Sequence, residues 1–158
     1  MNNQVSIHSD SDSTFQQDME PELIKRLEKE LKLSGLHNEE NVKLNNYPKT
    51  SIKPDIYSEE HMIIGEVHVH SGKMRAAQRH KLSNDIVKMI LFDKDRGKTY
   101  QKYIIVCSED EYRYLTGDSY LAAMVKEFKI HVKPYYLDEK QQKELEDVMW
   151  KQDLRNQK

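Results

Sequence analysis

An α/β sandwich, with a mixed β-sheet flanked by helices, is the fold class the sequence predicts, and three observations carry it. Apolar residues alternate with a period of two around residues 52–70 and recur with a helical period in 20–34, 74–92 and 138–157. The segments follow one another as helix, three strands, helix, strand, then a further helix and strand. At 158 residues the chain can build one core but not two independent ones.

The elements follow in chain order. Residues 1–18 are rich in Ser, Asn, Gln and Asp and carry no Lys or Arg, so they are expected to form a disordered tail. From Glu20 to Ser34, Pro21 stands near the first helical position, Leu23, Ile24, Leu27 and Leu31 form an apolar stripe, and Gly35 follows the end. Residues 41–47 suit a short edge strand. Segments 52–57 and 62–70 predict a hairpin in which Ile63, Gly65, Val67 and Val69 share one face and Met62, Ile64, Glu66, His68 and His70 the other. A helix is expected from Met74 to Phe92, buried through Leu82, Ile86, Met89 and Ile90, with Gly97 closing the loop after it. Lys102–Cys107 reads as a buried strand, Asp110–Phe128 as helix broken near Thr116-Gly117-Asp118, and Ile130–Leu137 as a last strand confined to an edge by Pro134. The body of the domain thus spans 19–137. Residues 138–158 add an amphipathic helix whose apolar side, Leu145, Val148, Met149 and Leu154 with Trp150 nearby, can pack on its own domain or on a second copy to give a homodimer.

Composition excludes several classes. Hydrophobic residues are 37% and charged residues 33%, which implies a thin core with polar tails. No apolar run is long enough to cross a bilayer and the N-terminus lacks an apolar signal core, so no membrane partner and a cytoplasmic location are expected. Cys107 is the single cysteine and lies in the apolar run Tyr103–Cys107, which excludes a disulfide framework and a cysteine-built zinc site and makes it a buried thiol. Net charge is −2, but residues 73–102 hold nine Lys/Arg against three acids. That concentration is either an ordinary solvated helix face and charged loop or a phosphate-facing patch.

Asp55 follows Pro54 in an extended segment, and Glu66 interrupts an apolar strand, where an unpaired carboxylate would cost several kcal/mol. With a turn centred on Glu59-Glu60, Ser58 would pair with His61, Asp55 would oppose Ile64, and Glu66 would be its diagonal neighbour on the same face. Two carboxylates there, with the Val67 carbonyl as a third oxygen, suit Mg²⁺ or Mn²⁺, the hard cations that assist phosphodiester hydrolysis. In the following helix Gln78, Lys81, Asp85 and Lys88 recur at i, i+3, i+7 and i+10 and form one polar stripe, from which Lys81 could orient water or stabilise developing charge.

Proline-aspartate before a strand, an acid in the next strand and a lysine nearby resemble the PD-(D/E)XK nuclease superfamily, whose helix, three strands, helix, strand core (αβββαβ, restriction-endonuclease-like) matches the order read above. The run Gln78-Arg79-His80-Lys81 with Asp85 and Lys88 also resembles a bacterial group within it. The resemblance covers roughly residues 20–137. It implies metal-dependent cleavage of DNA, with Asp55 and Glu66 holding the metal and Lys81 catalytic. One departure stands out: the superfamily pattern places lysine two positions after the second acid, and here that position is His68. The resemblance then implies a lysine migrated to the next helix, with His68 and Gln78 assisting. A first-helix acid often completes such sites, for which Glu20, Glu22 and Glu28 are candidates. Lys73, Arg75, Arg79 and Lys88 are expected to contact nucleic acid.

Two other readings remain. His61, His68 and His70 with Glu66 could form an imidazole and carboxylate site for a transition metal unrelated to nucleic acid. Alternatively, the domain is a catalytically inactive nuclease-like module that binds nucleic acid or protein.

Overall fold

The computed structural model of the protein describes residues 10–157. The elements are α1 (Asp10–Leu31), β1 (Val42–Lys43), β2 (Ser51–Ile52), β3 (Ile56–Ser58), β4 (Ile63–His68), α2 (Ala76–Arg96), β5 (Gln101–Val106), α3 (Glu109–Thr116), α4 (Tyr120–Glu127), β6 (His131–Pro134) and α5 (Glu139–Asn156). A four-stranded sheet in the order β3-β4-β5-β6 forms the centre, antiparallel between β3 and β4 and parallel thereafter. It is the α/β arrangement with a mixed sheet that the segment order predicts. Among the described residues, no helix is long and apolar enough to cross a membrane.

Strand β4 separates two cores because its side chains alternate. Ile63, Val67 and Val69 pack with Leu23, Ile24 and Leu27 of α1 and with Leu145 of α5. On the other face, Ile64 joins Leu82, Ile86, Met89 and Phe92 of α2 and Leu115, Leu121 and Val125 of α3 and α4. Every residue of β4 is buried, so Glu66 and His68 enter the α2 side of the sheet as polar groups in an apolar layer. Gly97 ends α2 in the left-handed conformation at φ 64°, as its place after the apolar stripe implies.

Three expectations need correction. First, α1 begins at Asp10, with Pro21 inside it. Residues 1–9 of the expected tail lie outside the described residues, but 10–18 are helical. Phe15 and Met19 continue the i, i+4 line of Leu23 and Leu27 into the core, and this packing outweighs a polar local sequence. Second, residues 42–43 pair with 51–52 in a separate two-stranded sheet. The outer edge of β3 is already occupied by residues 36–38: Tyr57 N–H donates to the Leu36 carbonyl, Asn38 N–H donates to the Asp55 carbonyl, and His37 bridges to Ile56.

Third, the hairpin register is shifted by two residues. Ser58 pairs with Ile63 and Ile56 with Gly65, because Glu59–Met62 form a four-residue turn with Met62 at φ 51°. A two-residue shift preserves which side chains share a face. Continued by one residue, the observed ladder places Asp55 directly opposite Glu66 rather than diagonal to it.

Gly65 is where β5 comes closest: a Cβ built there would stand 2.5 Å from the Tyr103 backbone oxygen. Neither strand can yield without breaking the ladder that carries Glu66. Gly65→Ala is expected to lower stability by about 3 kcal/mol, measured as a reduced urea midpoint with unchanged slope.

Candidate active site

The hairpin and α2 build the site together. Asp55, half-buried at the entry to β3, accepts a hydrogen bond from the Val67 N–H at 2.9 Å and has its side chain in hydrogen-bonding reach of Glu66. Because N–H and C=O of one strand residue open toward the same side, the Val67 carbonyl faces the Asp55 side as well. Glu66 is only 3% exposed. Burial above all, then the charges of Asp55 and Asp85, push its carboxyl well above the usual range, with Lys88 pulling the other way.

Lys88 answers this crowding. Its ammonium lies 2.5 Å from Glu66 Oε1 and 3.2 Å from Asp85 Oδ1. The approach to Oε1 is an ion pair without hydrogen-bond alignment, and that oxygen has no aligned donor among the described residues. Asp85 in turn meets His68 Nε2 at 2.8 Å. Burial opposes ionisation of Asp85, but the His68 contact and the Lys88 charge together outweigh it and hold the carboxyl below its usual range. An ionised carboxylate only accepts, so the contact is one in which His68 Nε2–H donates to Asp85 Oδ2.

The mouth of this network opens toward α1. A recess of about 170 Å³ is lined by Gln16, Gln17, Glu20, Val67, Val69 and Lys81. Burial first, then the Asp55 charge, raise the Glu20 carboxyl to about 7 against the opposing pull of Lys81 and Lys53. Of the three first-helix acids, Glu20 is therefore the one at the site. Glu22 lies 3.5 Å from the Gln141 amide and Glu28 accepts the Leu36 N–H at 3.1 Å.

The remaining sequence candidates divide. Lys81 is exposed and lines the recess beside Glu20 as well as a second one, also about 170 Å³, with His68, Arg75 and Gln78. Lys88, expected to contact nucleic acid, is half-buried and turns inward to pair with Glu66 and Asp85. Gln78 Oε1 accepts the Arg75 N–H at 3.1 Å and so helps start α2. Lys73, Arg75 and Arg79 are exposed, with Arg75 paired to Asp153 of α5 at 2.8 Å. The basic run near 94–102 is largely structural: Lys102 pairs with Asp93, Lys98 with Glu59, and Arg96 donates to the Lys43 carbonyl.

The three imidazoles do not converge. His68 takes Asp85, His70 stands 3.2 Å from Glu111, and His61 sits in the turn with its N–H on Ser58 Oγ. Cys107 is buried, and burial with the nearby Glu111 pushes its thiol up to about 12. Among the described residues, no group of three His, Cys, Asp or Glu stands ready to hold a metal. What the site offers a hard cation is narrower: the carboxylates of Asp55 and Glu66, the latter already in an ion pair with Lys88, and a strand carbonyl. That donor set fits Mg²⁺ or Mn²⁺. Sequence reasoning missed Asp85 as the group that joins His68 to Lys88, although the i, i+3, i+7, i+10 stripe contained the signal.

Two outcomes follow from these electrostatics. The folded state retains the Glu20 proton more tightly than the unfolded chain, so its contribution to stability is present below about pH 4.5 and is lost as pH rises toward 7. Denaturant midpoints across pH 4–8 should therefore fall less with rising pH in Glu20→Gln than in the parent. Lys88→Met, which leaves Glu66 and Asp85 without their shared cation, should cost about 2 kcal/mol, and adding Glu66→Gln should recover most of it in a double-mutant cycle.

Compared with protein-family models, curated proteins and solved structures, the chain matches none of them.

Proposed function

We propose that the protein is a metal-dependent nuclease of the PD-(D/E)XK type that hydrolyses phosphodiester bonds in DNA. The observation that carries this reading is the meeting of Asp55 and Glu66 across the β3–β4 hairpin with a lysine from the following helix against the second acid. Asp55, Glu66 and the Val67 carbonyl would hold Mg²⁺ or Mn²⁺, with Glu20 behind them. Bound there, the cation would neutralise charge on the scissile phosphate and acidify its water. The chain's own groups do the rest. Lys88 holds the Glu66 side chain through its ion pair and opposes the rise that burial imposes on that carboxyl, and Asp85 orients the His68 ring. Exposed Lys81 at the mouth meets the phosphate, while Lys73, Arg75 and Arg79 along the start of α2 fix the backbone of the substrate. This reading places the protein in the cytoplasm with DNA as its partner, and a second copy could cover Trp150 and Leu154, which are exposed on α5.

A second reading has its own observation. Lys88 already neutralises Glu66, and His68, at the position where the superfamily carries lysine, is tied to Asp85. Such a closed network also suits a module that binds nucleic acid without cutting it.

The test is a cleavage panel over linear, nicked, branched and single-stranded DNA with Mg²⁺, Mn²⁺ or chelator. Cleavage should require the metal, fall about 10³-fold in Asp55→Ala and Glu66→Gln, and fall about 10²-fold in folded Lys81→Ala. Parental rates in Asp55→Ala would refute the nuclease assignment. Salt-steep binding without cleavage in any condition would favour the binding module.

A further inference from the structure

We propose that the recess between the α2–β5 and α4–β6 connections binds a small aromatic anion with the size and chemistry of a nucleoside monophosphate. It is an open recess of about 720 Å³, against about 170 Å³ for the recess beside Glu20, and falls in the range of small-molecule sites by volume. It is also remote from the carboxylates. It opens where Gln101 pairs with Ile63 at the start of β5, whereas Glu66 and His68 pair with Ile104 and Val106 further along.

Its lining combines two kinds of surface. Ile90 and Phe128 supply apolar area, and Phe128 is 37% exposed, whereas Tyr100 beneath them is buried. His131 is stacked on Tyr103 at 4.9 Å and 24°, and the residue is exposed at the rim. Around these stand Lys94, Lys98 and Lys129.

The carboxylates in the recess do not cancel that charge. Asp93 is occupied by Lys102 and by the Tyr100 N–H, which leaves Glu127 against three lysines. Lys98 pairs with Glu59, but both side chains are nearly half exposed at 45% and 44%, and such a pair is readily exchanged for a phosphate. An ordinary structural role, cations offsetting the carbonyls at a helix end, accounts for Lys94 in the last turn of α2. The same role extends to Lys129, which directly follows the Phe128 cap of α4, but not to His131 in β6. Flat rings beside an excess of ammonium groups match a ligand that is both planar and multiply negative. Inorganic phosphate satisfies only one of these features, and an uncharged nucleoside only the other.

The experiment is titration of the full chain with adenosine monophosphate in chelator, followed by calorimetry and by the imidazole resonances of His131. Saturable binding is expected, weakened about tenfold in Phe128→Ala and in Lys129→Glu, and unchanged in Asp55→Ala. Adenosine and inorganic phosphate should each bind at least tenfold more weakly. Lys94→Glu provides a second charge reversal should Lys129→Glu fail to fold. The proposal is overturned by no saturable binding below about 10 mM, by inorganic phosphate binding as tightly as the nucleotide, or by binding that survives the Phe128 and lysine variants. Binding lost in Asp55→Ala alone would overturn it too, by moving the ligand to the carboxylates.

Discussion

Three carboxylates and one ammonium share a pocket between the sheet and α2, and much of the structure is arranged to permit it. Glu66 enters from β4, Asp55 from the approach to β3, Asp85 and Lys88 from successive turns of α2. Bringing like charges together in a low-dielectric layer is unfavourable unless something offsets them. Here burial and two neighbouring acids act on Glu66 in the same direction, and Lys88 opposes them. The same ammonium helps hold Asp85 ionised despite its burial. One lysine thus serves two acids whose environments drive their pKa values in opposite directions. That divergence marks groups placed for chemistry more often than for stability, since apolar side chains of similar size would fill the space at lower cost.

The backbone devices around the site serve this convergence. Gly65 lets β5 approach to a distance no side chain would allow, which closes the sheet directly under Glu66. The Val67 N–H fixes one Asp55 oxygen, so that carboxylate is oriented before any ligand arrives. Residues 36–38 cover the outer edge of β3 and keep the hairpin from slipping. Preorganisation of this kind is what a cation or a phosphate would exploit, because the ordering cost is already met in the folded chain.

Much of this was legible in the sequence, and the reasons for the rest are specific. Alternation in 62–70 assigned Glu66 and His68 to one face, and the two-residue register shift left that assignment intact because side-chain period in a strand is two. The turn length was not legible: Glu59-Glu60 looks like the centre of a tight turn, but Met62 adopts positive φ and lengthens it. Helical spacing placed Lys81 and Lys88 on one stripe without saying which would reach the sheet. Reach depends on where along β4 the helix packs, and only the tertiary contact fixes that. The start of α1 was missed for a similar reason, since Phe15 and Met19 earn their helix by packing rather than by propensity.

The basic segment shows how one charge count can conceal two environments. Sequence alone gives 73–102 a uniform excess of lysine and arginine. In the fold, α2 carries that excess to opposite ends of the molecule. Its first turns present Arg75, Arg79 and Lys81 beside the carboxylate site, and its last turn and the loop beyond present Lys94 and Lys98 at the larger recess. Between them, Lys88 is drawn inward and Lys102 is buried against Asp93. A positive stretch that looked like one patch is therefore two, separated by the length of a helix and by lysines that face the protein rather than a partner. Screening by salt over such a separation is substantial. The two ends accordingly do not form one continuous field.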